Sequence, residues 1–192
     1  MNEIGPANED AKWIERSISG DTEAFGCLVN KYQHRLYNSM VHFLRDETEA
    51  EDVVQESFVL SFTRLSKFRG NSSFYTWLYR IAVNAAISRR RKKRPKVSVE
   101  RDLGDSAAGI DGSGPRPGDR IEEFERAGQL HAALSRLSEE HRLILVMREM
   151  DELSYEEISD ILKTPVGTVR SRLHRARSQL KEELTTYFES QQ

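Results

Sequence analysis

Side chains that can hydrogen-bond to DNA recur at helical spacing between residues 168 and 178. At about 100° per residue, one side of this helix is apolar and consists of Val169, Leu173, Ala176 and Leu180. The centre of the opposite side consists of Ser171, His174, Arg175 and Ser178, and its flanks are Thr168, Arg170, Arg172 and Arg177. Arginine can donate two hydrogen bonds to guanine, serine can donate or accept, and flanking arginines can bind phosphates. The pattern predicts a helix that reads the major groove of DNA.

The residues just before this helix have the signals of a helix-turn-helix. Ser154 and Glu157 have the spacing of a capping box, which predicts a first helix starting there. Thr164 and Pro165 then suit the N-cap and the first position of the second helix. Two helices that meet with almost no loop favour a helix-turn-helix. On the pattern alone, a basic amphipathic helix that is only a solvated face stays open as the alternative.

A second stretch combines aromatic and basic residues. Five aromatic residues lie within twelve positions, namely Phe68, Phe74, Tyr75, Trp77 and Tyr79. A basic run follows them. Phe74 and Trp77 fit a buried stripe with Ile81, whereas Tyr75 and Tyr79 fall off it. Exposed aromatic rings beside arginines would stack on unpaired bases, each stack contributing about 1–3 kcal/mol. The alternative is a core aromatic cluster with a solvated basic tail.

Charge is segregated along the chain, although the net charge is only −2. Residues 46–56 carry six acids and no base, residues 89–96 carry seven bases in eight positions, and residues 163–181 carry six bases and no acid. Blocks of opposite charge predict different partners for different parts of the chain. Residues 95–119 hold five of the eleven glycines and three of the five prolines, which predicts a flexible linker.

Composition excludes several other classes of protein. Charged residues make up 31% of the chain and its mean hydropathy is −0.64, with no run near the roughly 20 apolar residues of a membrane span. The N-terminus lacks a secretory pattern, and the single Cys27 excludes an internal disulfide, so we expect a cytoplasmic protein without membrane insertion. The histidines share no ligand spacing with Cys27, and no phosphate loop or activated nucleophile occurs. We therefore predict no metal, no cofactor, no catalytic residue and no enzymatic activity.

Apolar spacing predicts helices in both halves and no strand of useful length. One helix carries Phe25, Leu28, Tyr32 and Leu36 on one side, a second runs over 47–65, and a third starts at Phe74. We predict an all-α fold of two small helical domains joined by a flexible linker, the C-terminal one with the helix-turn-helix. The predicted boundaries are a tail over 1–19, a first domain over 20–94, the linker over 95–119 and a second domain over 120–192.

Three segments resemble the signature segments of the extracytoplasmic-function sigma factors of bacterial RNA polymerase. They are EAEDVVQESF (49–58), FRGNSSFYTWLYRIAVN (68–84) and LSYEEISDILKTPVGTVRSRLHRAR (153–177). They occur in the order of the family, and the resemblance spans residues 20–94 and 125–184. It implies a transcription initiation factor that binds core RNA polymerase, directs it to promoters with minus-35 and minus-10 elements, and helps to open the strands.

The resemblance also implies roles for individual residues. The acidic helix would bind polymerase through Asp52, Gln55 and Glu56. The minus-10 element would be read and melted by Phe68, Gly70, Asn71, Ser72, Ser73, Tyr75, Trp77, Arg80, Asn84, Arg89 and Arg90. The minus-35 element would be read by Thr168, Arg170, Ser171, Arg172, His174, Arg175 and Arg177. The expected partners are core RNA polymerase, promoter DNA and an anti-sigma factor.

Two other functions stay open at this stage. One is a helix-turn-helix regulator that binds DNA unaided, with its N-terminal half as a sensor or dimerisation domain. The other is an adaptor that binds polymerase or another protein without DNA, in which case both basic blocks are incidental. Of these three hypotheses, only that of a sigma factor predicts promoter binding that depends on polymerase and ends with the DNA strands opened.

Overall fold

The computed structural model describes residues 6–93, 128, 130 and 132–189, and the predicted linker 95–119 lies outside them. The first half contains α1 (Pro6–Ile18), α2 (Thr22–Leu44), α3 (Glu47–Thr63), a 3-10 turn (Leu65–Lys67) and α4 (Phe74–Lys93). The second half contains α5 (described over 132–136), α6 (Glu139–Leu145), a π-helical segment (Val146–Met150), α7 (Tyr155–Leu162) and α8 (Val166–Glu189). The described residues contain no strand, and the predicted all-α fold class is confirmed. Among them, no helix is long and apolar enough to cross a membrane.

Short polar side chains fix where several helices start. Asp21 and Asp46 accept hydrogen bonds from backbone amides in the first turns of α2 and α3. Arg45 ends α2 in the left-handed conformation, with φ at 63°, and this turns the chain directly into α3. The capping box predicted at the start of α7 is confirmed, with Ser154 and Glu157 each bonding the backbone amide of the other.

The junction between α7 and α8 differs in detail from the prediction. Lys163 ends α7 in the left-handed conformation, with φ at 53°, and α8 begins at Val166. The predicted capping role of Thr164 is wrong, because its hydroxyl is buried and has no hydrogen-bond partner among the described residues. Pro165 lies one position before the helix, and its carbonyl accepts from the amide of Val169 at 3.1 Å. The two helices still meet with only three residues between them.

Residues 6–18, which lie within the predicted tail over residues 1–19, form a helix. Trp13 and Ile14 of α1 pack against the hydrophobic core. The carboxylate of Asp10 accepts hydrogen bonds from Lys31 Nζ, at 2.6 Å, and from the Tyr32 hydroxyl. α1 is therefore packed on α2 as part of the N-terminal half.

α4 is buried on two sides. The predicted stripe is buried as expected and consists of Phe74, Trp77, Leu78, Ile81 and Ala85. The predicted exposure of Tyr75 and Tyr79 is wrong, since these residues are 4% and 0% exposed. The reason is that α4 packs against α2 and α3 and also against α7 of the C-terminal half. A helix covered from two directions needs a wider apolar face than one stripe.

The two halves share one hydrophobic core. Buried residues of α6, α7 and α8, such as Ile144, Ile158 and Leu173, belong to the same continuous cluster as Leu36 and Leu78 of α2 and α4. Contacts of α2 with α6 and with the π-helical segment, and of α4 with α7, connect the halves. The two predicted helical units are thus packed directly against each other.

We predict that Trp13→Ala lowers the free energy of unfolding by about 1–3 kcal/mol, because the indole covers apolar surface of the core. Lys12→Ala on the exposed side of α1 is the matched control and should change it by less than about 0.5 kcal/mol. Urea unfolding followed by circular dichroism measures both. Equal effects of the two substitutions would contradict the packing of α1 on the core.

Candidate nucleic-acid interface

α8 presents its predicted DNA-reading face to solvent. The apolar stripe is buried as predicted, with exposed fractions of 0%, 1% and 0% for Val169, Leu173 and Ala176. The central residues of the opposite side are all exposed, namely Ser171, His174, Arg175 and Ser178. Within the described part of the chain, the side chains of His174 and Arg175 make no hydrogen bond or ion pair. Their donors are therefore available to a ligand.

The flanks of this face are partly occupied by the chain itself. Arg172 pairs with Glu140 at 2.7 Å, and Arg177 pairs with Glu149 at 2.7 Å. The hydrogen bond with Glu149 raises the pKa of Arg177, so this guanidinium stays charged. Arg170 is exposed and its guanidinium lies 5.9 Å from the ring centroid of Tyr155, whereas Thr168 is half-buried. Exposed ion pairs contribute only about 0–1 kcal/mol to stability, so Arg172 and Arg177 can exchange their carboxylate partners for phosphates.

The loop before α4 is held by aromatic packing and by a cap. Phe68 is half-buried, with its ring centroid 5.3 Å from that of Trp77. Gly70 has a φ of 71°, a left-handed conformation that favours glycine. Ser73 Oγ accepts from the amide of Thr76 at 3.0 Å and so starts α4. The loop leaves the predicted minus-10 residues Asn71 and Ser73 exposed and Ser72 half-buried.

The predicted minus-10 residues on α4 do not share one environment. Asn84 is exposed and has no hydrogen-bond partner among the described residues. Arg80 is half-buried and pairs with Asp160 of α7 at 3.2 Å. Tyr75 and Trp77 are buried, at 4% and 8% exposed. The structure thus brings Asn84 to the surface and places Tyr75 and Arg80 beneath or against the C-terminal half.

Asp151 anchors a buried polar cluster, the Asp151 cluster, that joins the two halves and contains Arg35, Ser39, Tyr75 and Asp151. The Asp151 carboxylate is 2% exposed and accepts from Ser39 Oγ at 2.7 Å and from the Tyr75 hydroxyl at 2.7 Å. Arg35 Nε lies 3.5 Å from the same carboxylate, and its guanidinium covers the Tyr75 ring at 4.1 Å. Burial, and then the charge of Asp151, raises the pKa of Tyr75, so its hydroxyl stays protonated as a donor.

Two carboxylates of α7 extend this contact along α4. Thr76 Oγ1 donates to Glu157 at 2.8 Å, and Asp160 pairs with Arg80. Burial alone would raise the pKa of Glu157, but hydrogen bonds from Ser154 and Thr76 lower it. The capping-box carboxylate that starts α7 therefore also ties α7 to the start of α4.

A buried arginine holds the opposite end of the same interface. Arg142 donates to the carbonyls of Leu134 and Leu137 in its own half and to that of Phe43 at 3.1 Å. Burial, and then the nearby Arg45, lowers the pKa of Arg142 to about 10. The guanidinium donates to carbonyls of both halves, so it joins the end of α2 to the start of the C-terminal half.

The acidic face of α3 and the basic run of α4 meet each other. Arg89 bonds Asp52 at 2.5 Å and Glu56 at 3.0 Å, while Gln55 is exposed. The structure therefore places Arg89 with the predicted polymerase-binding residues and not with the predicted minus-10 residues. Arg90 donates to the carbonyl of Leu44 at 2.7 Å and pairs with Glu139, so it also lies apart from the loop.

Sequence reasoning missed the residues that connect the halves. Arg35 and Ser39 lie one helical turn apart among apolar neighbours of α2, which is the only local signal that they have. Their partner Asp151 lies 112 positions after Ser39, and Thr76 lies 81 positions before Glu157. No spacing rule connects residues so far apart in the chain.

Comparison with known proteins gives consistent matches along the chain. The model of sigma-70 region 2 matches residues 28–96, and that of sigma-70 region 4 matches residues 127–180. The RNA polymerase sigma-H factor of Pseudomonas aeruginosa is 41% identical, over 92% of this chain and 94% of that protein. The ECF RNA polymerase sigma factor SigW of Bacillus subtilis is 35% identical, over 90% of this chain and 95% of that protein.

Solved structures with the same fold include two complexes. CnrH in complex with the cytosolic domain of CnrY is similar with a TM-score of 0.68 and 25% identity, covering 93% of this chain and 98% of that one. The sigma factor RpoE in complex with the anti-sigma factor NepR from Bartonella quintana has a TM-score of 0.67 and 23% identity, covering 84% and 96%. The likeness to RpoE concerns the fold alone.

Two neighbouring tyrosines test the Asp151 cluster. Tyr75→Phe should lower the free energy of unfolding by about 1–3 kcal/mol, because a buried carboxylate loses a donor. Tyr79→Phe is the control and should cost less than Tyr75→Phe, because the buried Tyr79 hydroxyl lies near Asp151 but makes no hydrogen bond of good geometry among the described residues. Chemical unfolding of both variants measures the difference. A larger loss for Tyr79→Phe than for Tyr75→Phe would contradict this assignment.

Proposed function

Because the chain belongs to the extracytoplasmic-function sigma factors of bacterial RNA polymerase, we propose that it reads minus-35 elements with α8 and minus-10 elements with the loop 68–73 and α4. The chain acts as a sigma factor in transcription initiation. We assign it no catalytic activity of its own, and its place of action is the cytoplasm, with the polymerase. The domain boundaries 20–94 and 120–192 stay predictions.

The exposed face of α8 is the observation that carries this proposal. In a helix-turn-helix, residues in the first turns of the second helix contact base edges in the major groove. Ser171, His174 and Arg175 lie in these turns, on the side opposite the buried stripe. Arg175 can donate two hydrogen bonds to guanine, and the side chain of His174 can donate or accept. Arg172 and Arg177 border the face as phosphate contacts.

Polymerase docking is assigned to the exposed side of α3. Asp52 and Glu56 lie four residues apart and point the same way, since both carboxylates bond the guanidinium of Arg89. Arg89 thus fixes the orientation of two carboxylates that a basic surface of the polymerase could bind. Gln55 lies on the same exposed surface and supplies a neutral hydrogen-bonding group.

Strand opening is assigned to the loop 68–73 and the exposed end of α4. Unstacking a base from the duplex costs a few kcal/mol. Stacking and hydrogen bonds between the protein and the extruded base offset this cost. Asn71 and Asn84 present exposed amides, and the half-buried ring of Phe68 lies behind the loop. Core RNA polymerase and promoter DNA are the proposed partners, together with an anti-sigma factor.

Promoter binding with and without core polymerase tests the proposed function. Genomic fragments that support run-off transcription with purified core polymerase supply the promoters, and gel shifts measure binding. We expect specific binding only when the chain and core polymerase are both present, followed by permanganate-reactive thymines near the start site. Equally specific binding by the chain alone, without melting, would contradict a sigma factor and indicate a stand-alone regulator.

Arg175→Ala tests base reading by α8. It should cost about 1–3 kcal/mol on the preferred minus-35 sequence and relax discrimination at one base pair. Arg177→Ala on the flank should weaken binding to all sequences alike, because a phosphate contact carries no sequence information. Binding of polymerase holoenzyme to a panel of single-base promoter variants separates the two. A uniform loss with Arg175→Ala would make Arg175 a phosphate contact.

Charge reversal on α3 tests polymerase docking. The double variant Asp52→Lys and Glu56→Lys should abolish co-purification with core polymerase, because two attractive contacts become repulsive. Glu47→Lys, on the same helix outside this pair, is the matched control and should retain association. Circular dichroism checks that helix content is unchanged. Association of the double variant at the level of the control would remove this surface from the proposal.

A further inference from the structure

We propose that the exposed side of α4 continues past Asn84 and reads paired DNA directly upstream of the minus-10 element, with Ile87 on the methyl group of a thymine and Arg91 on a phosphate. Neither Ile87 nor Arg91 is among the residues predicted from the sequence to bind DNA. The inference rests on the proposed function, because it takes the loop 68–73 as the place where melted bases are bound.

One side of α4 stays outside the core from Arg80 onward. At about 100° per residue, its members lie within about 60° of one another, and they are Arg80, Asn84, Ile87 and Arg91. Ile87 is 48% exposed, and Asn84 and Arg91 are exposed as well. Every other residue between positions 80 and 91 is buried or half-buried. This side, the α4 stripe, is therefore the surface that α4 presents to a ligand.

The two arginines that precede Arg91 face other parts of the chain. Arg89 bonds two carboxylates of α3, and Arg90 donates to the carbonyl of Leu44. Arg91 makes no hydrogen bond or ion pair within the part of the chain that the structure describes. Its guanidinium is therefore available to a phosphate, which is the usual acceptor of arginine in DNA complexes.

The charge of α4 favours a polyanion as the occupant of the α4 stripe. The twenty residues of α4 include six bases and no acid, and the chain has no aspartate or glutamate from residue 57 to residue 99. Asp160 of α7 pairs with Arg80, where the α4 stripe begins. Asn84, Ile87 and Arg91 lie past this contact and remain exposed. A basic surface of this kind attracts the phosphates of DNA.

Distance along α4 assigns Ile87 to paired DNA. The loop 68–73, which is proposed to bind melted bases, precedes Phe74 at the start of α4. At 1.5 Å per residue, Ile87 lies about 20 Å further along the helix, which spans up to about six base pairs. Because α4 leads into the half that is proposed to read the minus-35 element, its last turns are assigned to the upstream side of the melted bases.

The side chain of Ile87 matches one group of the major groove. It has no donor or acceptor, and the apolar group that a base pair presents there is the C5 methyl group of thymine. Single surface isoleucines are common, but Ile87 lies on the α4 stripe between Asn84 and Arg91, whose side chains can bond base edges and phosphates. Burial of one methyl group changes affinity by about fourfold.

Deoxyuridine tests this contact, because it pairs like thymine and lacks only the methyl group. The roughly six base pairs directly upstream of the minus-10 element are each set to T·A and to A·T, and every duplex is made with thymine and with deoxyuridine. Polymerase holoenzyme with the wild-type chain should bind thymine about fourfold more tightly than deoxyuridine at one of these positions. Holoenzyme with Ile87→Ser should bind the two duplexes equally.

Two further variants separate this contact from general effects. Ile18→Ser on α1 is the matched control, since Ile18 is 51% exposed and lies outside α4, and it should retain the preference for thymine. Arg91→Ala should weaken binding to all duplexes alike and lower the slope of log affinity against log salt by about one, as the loss of one phosphate contact does.

Equal binding of thymine and deoxyuridine by the wild-type holoenzyme at every position would overturn the inference. A preference for thymine that persists in Ile87→Ser, with affinity lost equally on both bases, would also overturn it and would assign Ile87 to a contact with polymerase. Specific, polymerase-dependent binding of the unmodified promoter tests the proposed function separately, since that binding does not require the thymine contact.

Discussion

A carboxylate that is 2% exposed must find its hydrogen-bond partners within the protein, and Asp151 finds them in the other half of the chain. Ser39 and Tyr75 supply these donors and are themselves buried, at 2% and 4% exposed. Tyr75 lies on α4, the helix against which α7 packs. This buried carboxylate therefore helps to fix how α4 and the C-terminal half, which carry the two proposed DNA-reading elements, lie relative to each other.

The interface combines specificity with reversibility. Its apolar part alone would permit several ways of packing two small helical units, whereas Asp151, Glu157 and Asp160 each have complementary partners on α2 or α4. Arg142 adds a buried donor to the carbonyl of Phe43 in the opposite direction. Polar pairs of this kind set the register of the two halves, and water can satisfy the same groups after separation.

Patterns within a short stretch of sequence predicted the features that depend on neighbouring residues, such as the buried side of a helix and its first residue. The buried side of α8 followed from the helical period of Val169, Leu173 and Ala176, and the start of α7 followed from the spacing of Ser154 and Glu157. The exposure of Tyr75 and Tyr79 was predicted wrongly, because the helix that covers them lies about 80 positions later in the chain. The pairing of Arg89 with Asp52 and Glu56 was missed for the same reason, since α3 and α4 meet only in the folded chain.

We expect the two halves to be packed together in the free chain and to separate when it binds core polymerase and promoter DNA. The exposed Cys27 on α2 and a cysteine introduced at the exposed Lys181 on α8 accept spin labels, and electron–electron resonance measures the distance between them. We predict a single distance below about 40 Å in the free chain. In the complex with core polymerase and promoter DNA it should lengthen, because the two elements lie about 70 Å apart. The same distance in both states, or a broad distribution in the free chain, would contradict the account.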